Sequence, residues 1–102
     1  MVGNITSVQA SNLIRSNAKV IDIRDKNDFN KSHIYGAVNV GINEVEKVLR
    51  LFPNKNEKII VVCSKGIRSI AIAEQLSEMG YRNVYNLMDG YEKYKLILKI
   101  RW

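Results

Sequence analysis

The chain has 102 residues, 46% apolar and 25% charged, with one proline. That suits a single domain over residues 1–102 with one modest core, and no apolar run approaches the roughly 20 residues of a membrane-spanning helix. Sixteen Lys and Arg against ten Asp and Glu give a formal charge of +6, which suits nucleic acid, acidic partners or small anions; the cations are scattered, so a solvated basic surface is expected, with no nucleic-acid partner and no membrane.

The opening segment MVGNITSVQAS has neither a basic n-region nor an apolar h-region, so no signal peptide is expected. Ile5–Val8 reads as a short edge strand or as the lead-in to a helix. Ser7 or Ser11 is expected to cap a short helix carrying Ala10, Leu13 and Ile14, which Asn17 ends. Lys19–Arg24 is β-branched at Val20, Ile21 and Ile23 and reads as a strand. Phe29–His33 looks like one helical turn, Gly36 breaks it, and Ala37–Val40 is a very short strand. Apolar residues at Ile42, Val45, Val48, Leu49 and Phe52 predict an amphipathic helix over 42–52, capped by Asn43 and closed by Pro53. Lys58–Cys63 is apolar on both faces, as a central parallel strand would be. Ser69–Met79 reads as a helix with Ile72, Leu76 and Met79 on one side and Gly80 just past its end. Asn83–Leu87 is a strand, Gly90–Ile97 the last helix and Lys99–Trp102 a tail. Strands alternating with helices imply βαβ units, an α/β fold with a mainly parallel sheet covered on both faces.

Cys63 is the only cysteine. It excludes an internal disulfide and a cysteine-rich metal site, and a free thiol fits the reducing cytosol. It stands where the buried strand hands over to a helix, the place where α/β sheets bind ligands. The loop Ser64-Lys65-Gly66-Ile67-Arg68 follows, and Ser69 begins the helix. Three features favour the thiolate there. Curled backbone N–H groups make an anion-binding concavity, which Gly66 permits by adopting positive φ. The helix adds the positive end of its dipole. Lys65 and Arg68 add full charges. A lone cysteine can also be a small buried hydrophobe, but the glycine, the cations and the helix start favour a nucleophile in an anion pocket. That chemistry suits a sulfur-transfer enzyme, a thiol phosphatase or an arsenate reductase.

Four segments in order resemble the rhodanese-like domains, the family of single-domain sulfurtransferases. Asp22-Ile23-Arg24 with Asp28-Phe29 is similar to its D-x-R…E-F segment. Ser32-His33-Ile34-Tyr35-Gly36-Ala37-Val38-Asn39-Val40 is similar to G-H-I-x-G-A-x-N-I. Cys63-Ser64-Lys65-Gly66-Ile67-Arg68-Ser69 resembles the active loop C-x-x-G-x-R-S. Gly80-Tyr81 through Asp89-Gly90 resembles G-F-x-x-V-x-x-L-x-G-G, with Asp89 in place of a glycine. The resemblance implies a five-stranded, mainly parallel sheet with helices on both faces. It implies that Cys63 takes a sulfane sulfur from a small anionic donor, thiosulfate or a persulfide. The sulfur would pass to cyanide or a thiol, including a protein acceptor, by ping-pong catalysis without a cofactor or metal. Ser64, Lys65, Gly66, Ile67, Arg68 and Ser69 would bind the substrate. Four residues separate Cys63 from Arg68, where thiol phosphatases and related arsenate reductases have five, so the loop suits sulfur better than phosphate. A non-catalytic sulfur carrier or partner-binding module is the remaining alternative.

Other residues have plainer expected roles. His33, the only histidine, is expected to hydrogen-bond near the Gly36 turn rather than to act as a base. Arg24 is expected to pair with Asp28, and Lys65 to sit at the rim and steer anions. Tyr91 and Tyr94 are expected to pack, and the basic C-terminal helix to lie on the sheet with its lysines in water.

Overall fold

The computed structural model describes residues 2–101, with side chains described through residue 98. Five strands form one sheet: β1 (Val2–Ile5), β2 (Lys19–Asp22), β3 (Val38–Asn39), β4 (Lys58–Val62) and β5 (Asn83–Leu87). Their order is β1-β5-β4-β2-β3, and every pairing is parallel. Five α-helices connect or cover them: α1 (Ser7–Arg15), α2 (Lys26–Lys31), α3 (Val48–Leu51), α4 (Arg68–Glu78) and α5 (Gly90–Arg101).

β4 lies in the middle because it can be buried on both faces. Ile59, Ile60, Val61 and Val62 are all fully buried, each worth about 1.5–3 kcal/mol of apolar transfer. Side chains alternate along a strand. Ile59, Val61 and Cys63 therefore join one cluster, with Ile72, Ala73 and Leu76 of α4 and Val45 and Val48. Ile60 and Val62 join the other, with Ala10 of α1 and Tyr91 and Tyr94 of α5. The two tyrosines pack as expected, but α5 runs on through Arg101, so residues 99–101 are helix and not the expected tail. Of the expected tail, Trp102 lies outside the described residues.

Several boundaries differ from the sequence reading. The first strand is Val2–Ile5, one edge of the sheet, and Ser7 and Val8 already belong to α1. Thr6 caps that helix, not Ser7 or Ser11. Its hydroxyl accepts from Gln9 N–H (3.2 Å), while the Gln9 side chain accepts from Thr6 N–H (2.9 Å). Asn17 does end α1, in the left-handed region at φ 73°. The expected helix over 42–52 is a 3₁₀ turn at Val45–Lys47 followed by the single α-turn α3. In a 3₁₀ turn, residues three apart eclipse; Val45 and Val48 are buried, while Ile42 and Leu49 are exposed. Asn43 does not cap it; the Glu44 side chain instead folds back to Gly41 N–H (3.3 Å) and Lys47 (2.7 Å). The Tyr81 hydroxyl reaches the carbonyls of Phe52 (2.7 Å) and Val48 (3.1 Å) and so ties this short segment to the core.

Arg24 pairs with Asp22 (2.8 Å), not with Asp28, which is exposed. The pair is buried at the end of β2, where Arg24 also donates to Ser32 O (2.7 Å) and covers the Tyr91 ring at 4.3 Å. His33 is exposed, stacked on Phe29 at 3.7 Å and donating from Nδ1 to Phe29 O (2.6 Å).

Asp89 has a use that the sequence did not suggest. Its Oδ2 accepts from the backbone N–H (2.7 Å) and hydroxyl (2.8 Å) of buried Ser7, at the start of α1. Burial pushes this carboxyl up, but the two Ser7 hydrogen bonds, helped by the nearby Lys93 ammonium, outweigh it and hold the carboxyl below its ordinary value. Asp89→Ala should therefore cost about 1–3 kcal/mol in urea unfolding near neutral pH, because it strands two donors. A carboxyl with a lowered folded-state value stabilises above its unfolded value and loses that contribution as pH falls through the folded one. The gap between parent and variant should accordingly close in acid; a gap that persists there would contradict the assignment.

Candidate active site

Past β4 the chain turns at Cys63, runs through Ser64-Lys65-Gly66-Ile67 and enters α4 at Arg68. Gly66 is left-handed at φ +80°, which turns its N–H inward. Gly66 N–H (3.2 Å) and Ser69 N–H (3.4 Å) both donate to Cys63 Sγ. The thiol donates to Ser69 Oγ (3.2 Å), and the Ser69 hydroxyl donates to Asn86 Oδ1 on β5. The Asn86 amide donates to Gly66 O and to Asn4 Oδ1 of β1, both at 3.1 Å.

A second segment braces the loop from behind. A Cβ on Gly66 would lie 2.3 Å from Met88 O, and one on Gly90 would lie 2.2 Å from Ser64 O. The two backbones meet where neither has room for a side chain. The first turn of α5 then donates to the loop's carbonyls, Tyr91 N–H to Cys63 O (2.8 Å) and Glu92 N–H to Ser64 O (3.2 Å).

Burial, at 2% exposure, pushes the Cys63 thiol up. Hydrogen bonds from the Ser69 side chain and from the N–H groups of Ser69, Gly66 and Lys65 outweigh it, and the thiol falls below its ordinary value. A cavity of about 360 Å³ lined by Cys63, Ser64, Lys65, Ile67 and Arg68 opens over the sulfur. Ser64 is half-buried, whereas Lys65, Ile67 and Arg68 are exposed at the mouth. A second cavity of about 490 Å³ shares Arg68 and reaches Lys26, Asn39 and Glu44. Such a site can hold an anionic sulfur and an anion attached to it. Among the described residues, no cluster of His, Cys, Asp and Glu could hold a metal ion.

Of the residues singled out from the sequence, Cys63, Gly66 and Ser69 meet at the sulfur, with Ser64, Lys65, Ile67 and Arg68 around the opening. His33 and Arg24 do not line it. Sequence reasoning missed Asn86, Asn4 and the bracing by Gly90 and α5. One signal was available for Asn86. In Asn83–Leu87 it shares a face with Val84, so an amide stands where the pattern calls for an apolar side chain.

The family model of the rhodanese-like domain matches residues 6–96. The thiosulfate sulfurtransferase GlpE of Coxiella burnetii is 29% identical over 96 residues, covering 93% of this chain and 89% of that protein. The thiosulfate sulfurtransferase PspE of Escherichia coli is 39% identical over 67 residues, 65% of this chain and 64% of the relative. Among solved structures, reduced Bacillus anthracis CoADR-RHD superposes with a TM-score of 0.84 at 26% identity, covering 98% of this chain and 18% of that one. The parallel sheet, the loop after its middle strand and these matches have one explanation: the chain belongs to the rhodanese-like domain family.

Proposed function

We propose that this protein is a sulfurtransferase that carries a sulfane sulfur as a persulfide on Cys63. The observation that supports it most is the N–H cradle around Sγ, closed by a loop with only four residues between Cys63 and Arg68. The relatives named as thiosulfate sulfurtransferases point to the same chemistry. In the first step the Cys63 thiolate attacks the outer sulfur of thiosulfate. The sulfur–sulfur bond breaks and sulfite leaves with its electron pair, so no external oxidant or reductant is needed. Lys65 and Arg68 at the mouth attract the dianion. The negative charge then lies on the outer sulfur of the persulfide. In the second step cyanide or a thiol, free or on a protein acceptor, attacks that sulfur, and Cys63 leaves as thiolate. The single unpaired thiol suits a reducing compartment, the cytoplasm.

Intact mass spectrometry tests the proposal. After incubation with thiosulfate the chain should gain one sulfur atom, and cyanide should remove it with release of thiocyanate. A chain that takes no sulfur from thiosulfate or a low-molecular-weight persulfide, yet hydrolyses an aryl phosphate or reduces arsenate, would refute it.

A further inference from the structure

Ser69 has one hydroxyl proton and two neighbours that can use it. Cys63 Sγ lies 3.2 Å from its oxygen, and Asn86 Oδ1 accepts its hydrogen bond. Ser69 and Asn86 are fully buried, so water does not arbitrate between them. The orientation of Asn86 is fixed from the other side. Gly66 O can only accept, so the amide nitrogen must face it, and Oδ1 must face Ser69.

With a protonated sulfur the chain of donors is complete: thiol to Ser69, and Ser69 to Asn86. Deprotonation breaks it. If the Ser69 proton turns to the sulfur, Asn86 Oδ1 is left buried without a donor, which is costly. If the proton stays, Ser69 presents lone pairs to an anion. A persulfide relieves the conflict, because its inner sulfur is neutral and the charge sits on the outer one.

We propose that Asn86 is a positioning residue that competes with Cys63 for the Ser69 proton, holding it while the sulfur carries a proton or a second sulfur and yielding it when the bare thiolate forms. Asn86 thereby disfavours the unloaded thiolate and favours the loaded state. The second half of this inference rests on the proposed sulfur-transfer function; the first half concerns the thiol alone.

The charged and titratable groups around Cys63 do not replace this control. Lys65 and Arg68 are exposed on its own loop. From the end of β2 and the residues just past it come Asp22 and Arg24, which are paired with each other. From α5 come Tyr91 and Glu92, which reach the loop through backbone N–H groups. Among the described residues, none of these side chains hydrogen-bonds to Cys63, Ser69 or Asn86.

A double-variant cycle tests the proposal, read by titrating the ultraviolet absorbance of the thiolate in donor-free protein. Ser69→Ala should move the midpoint up. Asn86→Leu should move it down by about one pH unit, a tenfold change in the acid dissociation constant, and should leave it unchanged when Ser69→Ala is already present. An Asn86→Leu shift that is upward, or equal in both backgrounds, would mean that Asn86 only props the loop through Gly66, and would overturn the proposal. Thermal unfolding checks that each variant folds; Asn86→Ala repeats the test if the leucine is too bulky. In a fixed mixture of thiosulfate and sulfite, Asn86→Leu should also lower the loaded-to-unloaded ratio by up to tenfold. If the parent never loads sulfur, the proposed function fails, while the titration still decides the role of Asn86.

Discussion

Cys63→Ser should fold as the parent does and take up no sulfur from thiosulfate at any accessible pH. Serine is slightly smaller than cysteine, and its hydroxyl finds the same partners, Gly66 N–H, Ser69 N–H and Ser69 Oγ. With those bonds kept, the change in stability should stay within about 1 kcal/mol. The chemistry does not survive, because the N–H cradle lowers a thiol into a useful range but cannot do so for an alcohol, and the chain has no second thiol. In the parent, by the same argument, loading should rise with pH as the thiol ionises and level off below the pH expected of an unperturbed cysteine, because the hydrogen bonds favour the anion. Stopped-flow loading across a pH series, with intact mass on the variant, checks both. A sulfur adduct on Cys63→Ser would mean that another group accepts the sulfur.

What the sequence disclosed, and what it withheld, follows from the range of the interactions. β4 was legible because four successive apolar residues need only local pattern to be recognised, and α4 because its apolar positions recur at helical spacing. The loop between them was legible because glycine, cysteine and two cations lie within six residues. Ile42–Phe52 misled because spacings of three and four do not distinguish a long α-helix from a 3₁₀ turn followed by one α-turn. What settles that segment is Tyr81, some thirty positions away, whose hydroxyl meets its carbonyls. The first strand was read at Ile5–Val8, as an edge strand or a helix lead-in, instead of Val2–Ile5 because a four-residue edge strand has little pattern of its own and exists by pairing with β5. Arg24 was given the wrong partner because helical spacing was weighed ahead of strand spacing: Asp22, two residues earlier, lies on the same face of the extended chain, whereas Asp28 on α2 is exposed.

The candidate site divides along the same line. Residues contiguous with Cys63 were found from the sequence, and those brought to it by the sheet were not. Asn4 and Asn86 face each other only because β1 and β5 pair in that register. Asn86 lies beside Val61 because β5 pairs with β4. The sequence presents three unrelated polar residues, Asn4, Ser69 and Asn86, and the fold joins them behind the sulfur.

Gly90→Ala is the substitution outside the loop expected to do the most damage. The new Cβ would lie 2.2 Å from Ser64 O and 2.5 Å from Lys65 Cα, both backbone atoms that cannot swing aside. Gly90 is also left-handed, at φ +76°, which costs an alanine about 1–2 kcal/mol by itself. Relief of the clash must move the loop away from α5 and break the bonds from Tyr91 and Glu92 to Cys63 O and Ser64 O. That overpacking adds about 1–3 kcal/mol. The loop would carry Gly66 N–H away from the sulfur, and a shift of about 1 Å in a reacting group costs on the order of a hundredfold in rate. Gly36→Ala provides the control. Gly36 has a similar φ of +84° but nothing within 4 Å of a Cβ, so it should lose only the conformational part and keep the loading rate. Unfolding free energies and single-turnover loading of the two variants separate backbone strain from collision. Equal losses in both would show that the loop does not depend on its contact with Gly90, and the brace assigned to the β5–α5 turn would have to be abandoned.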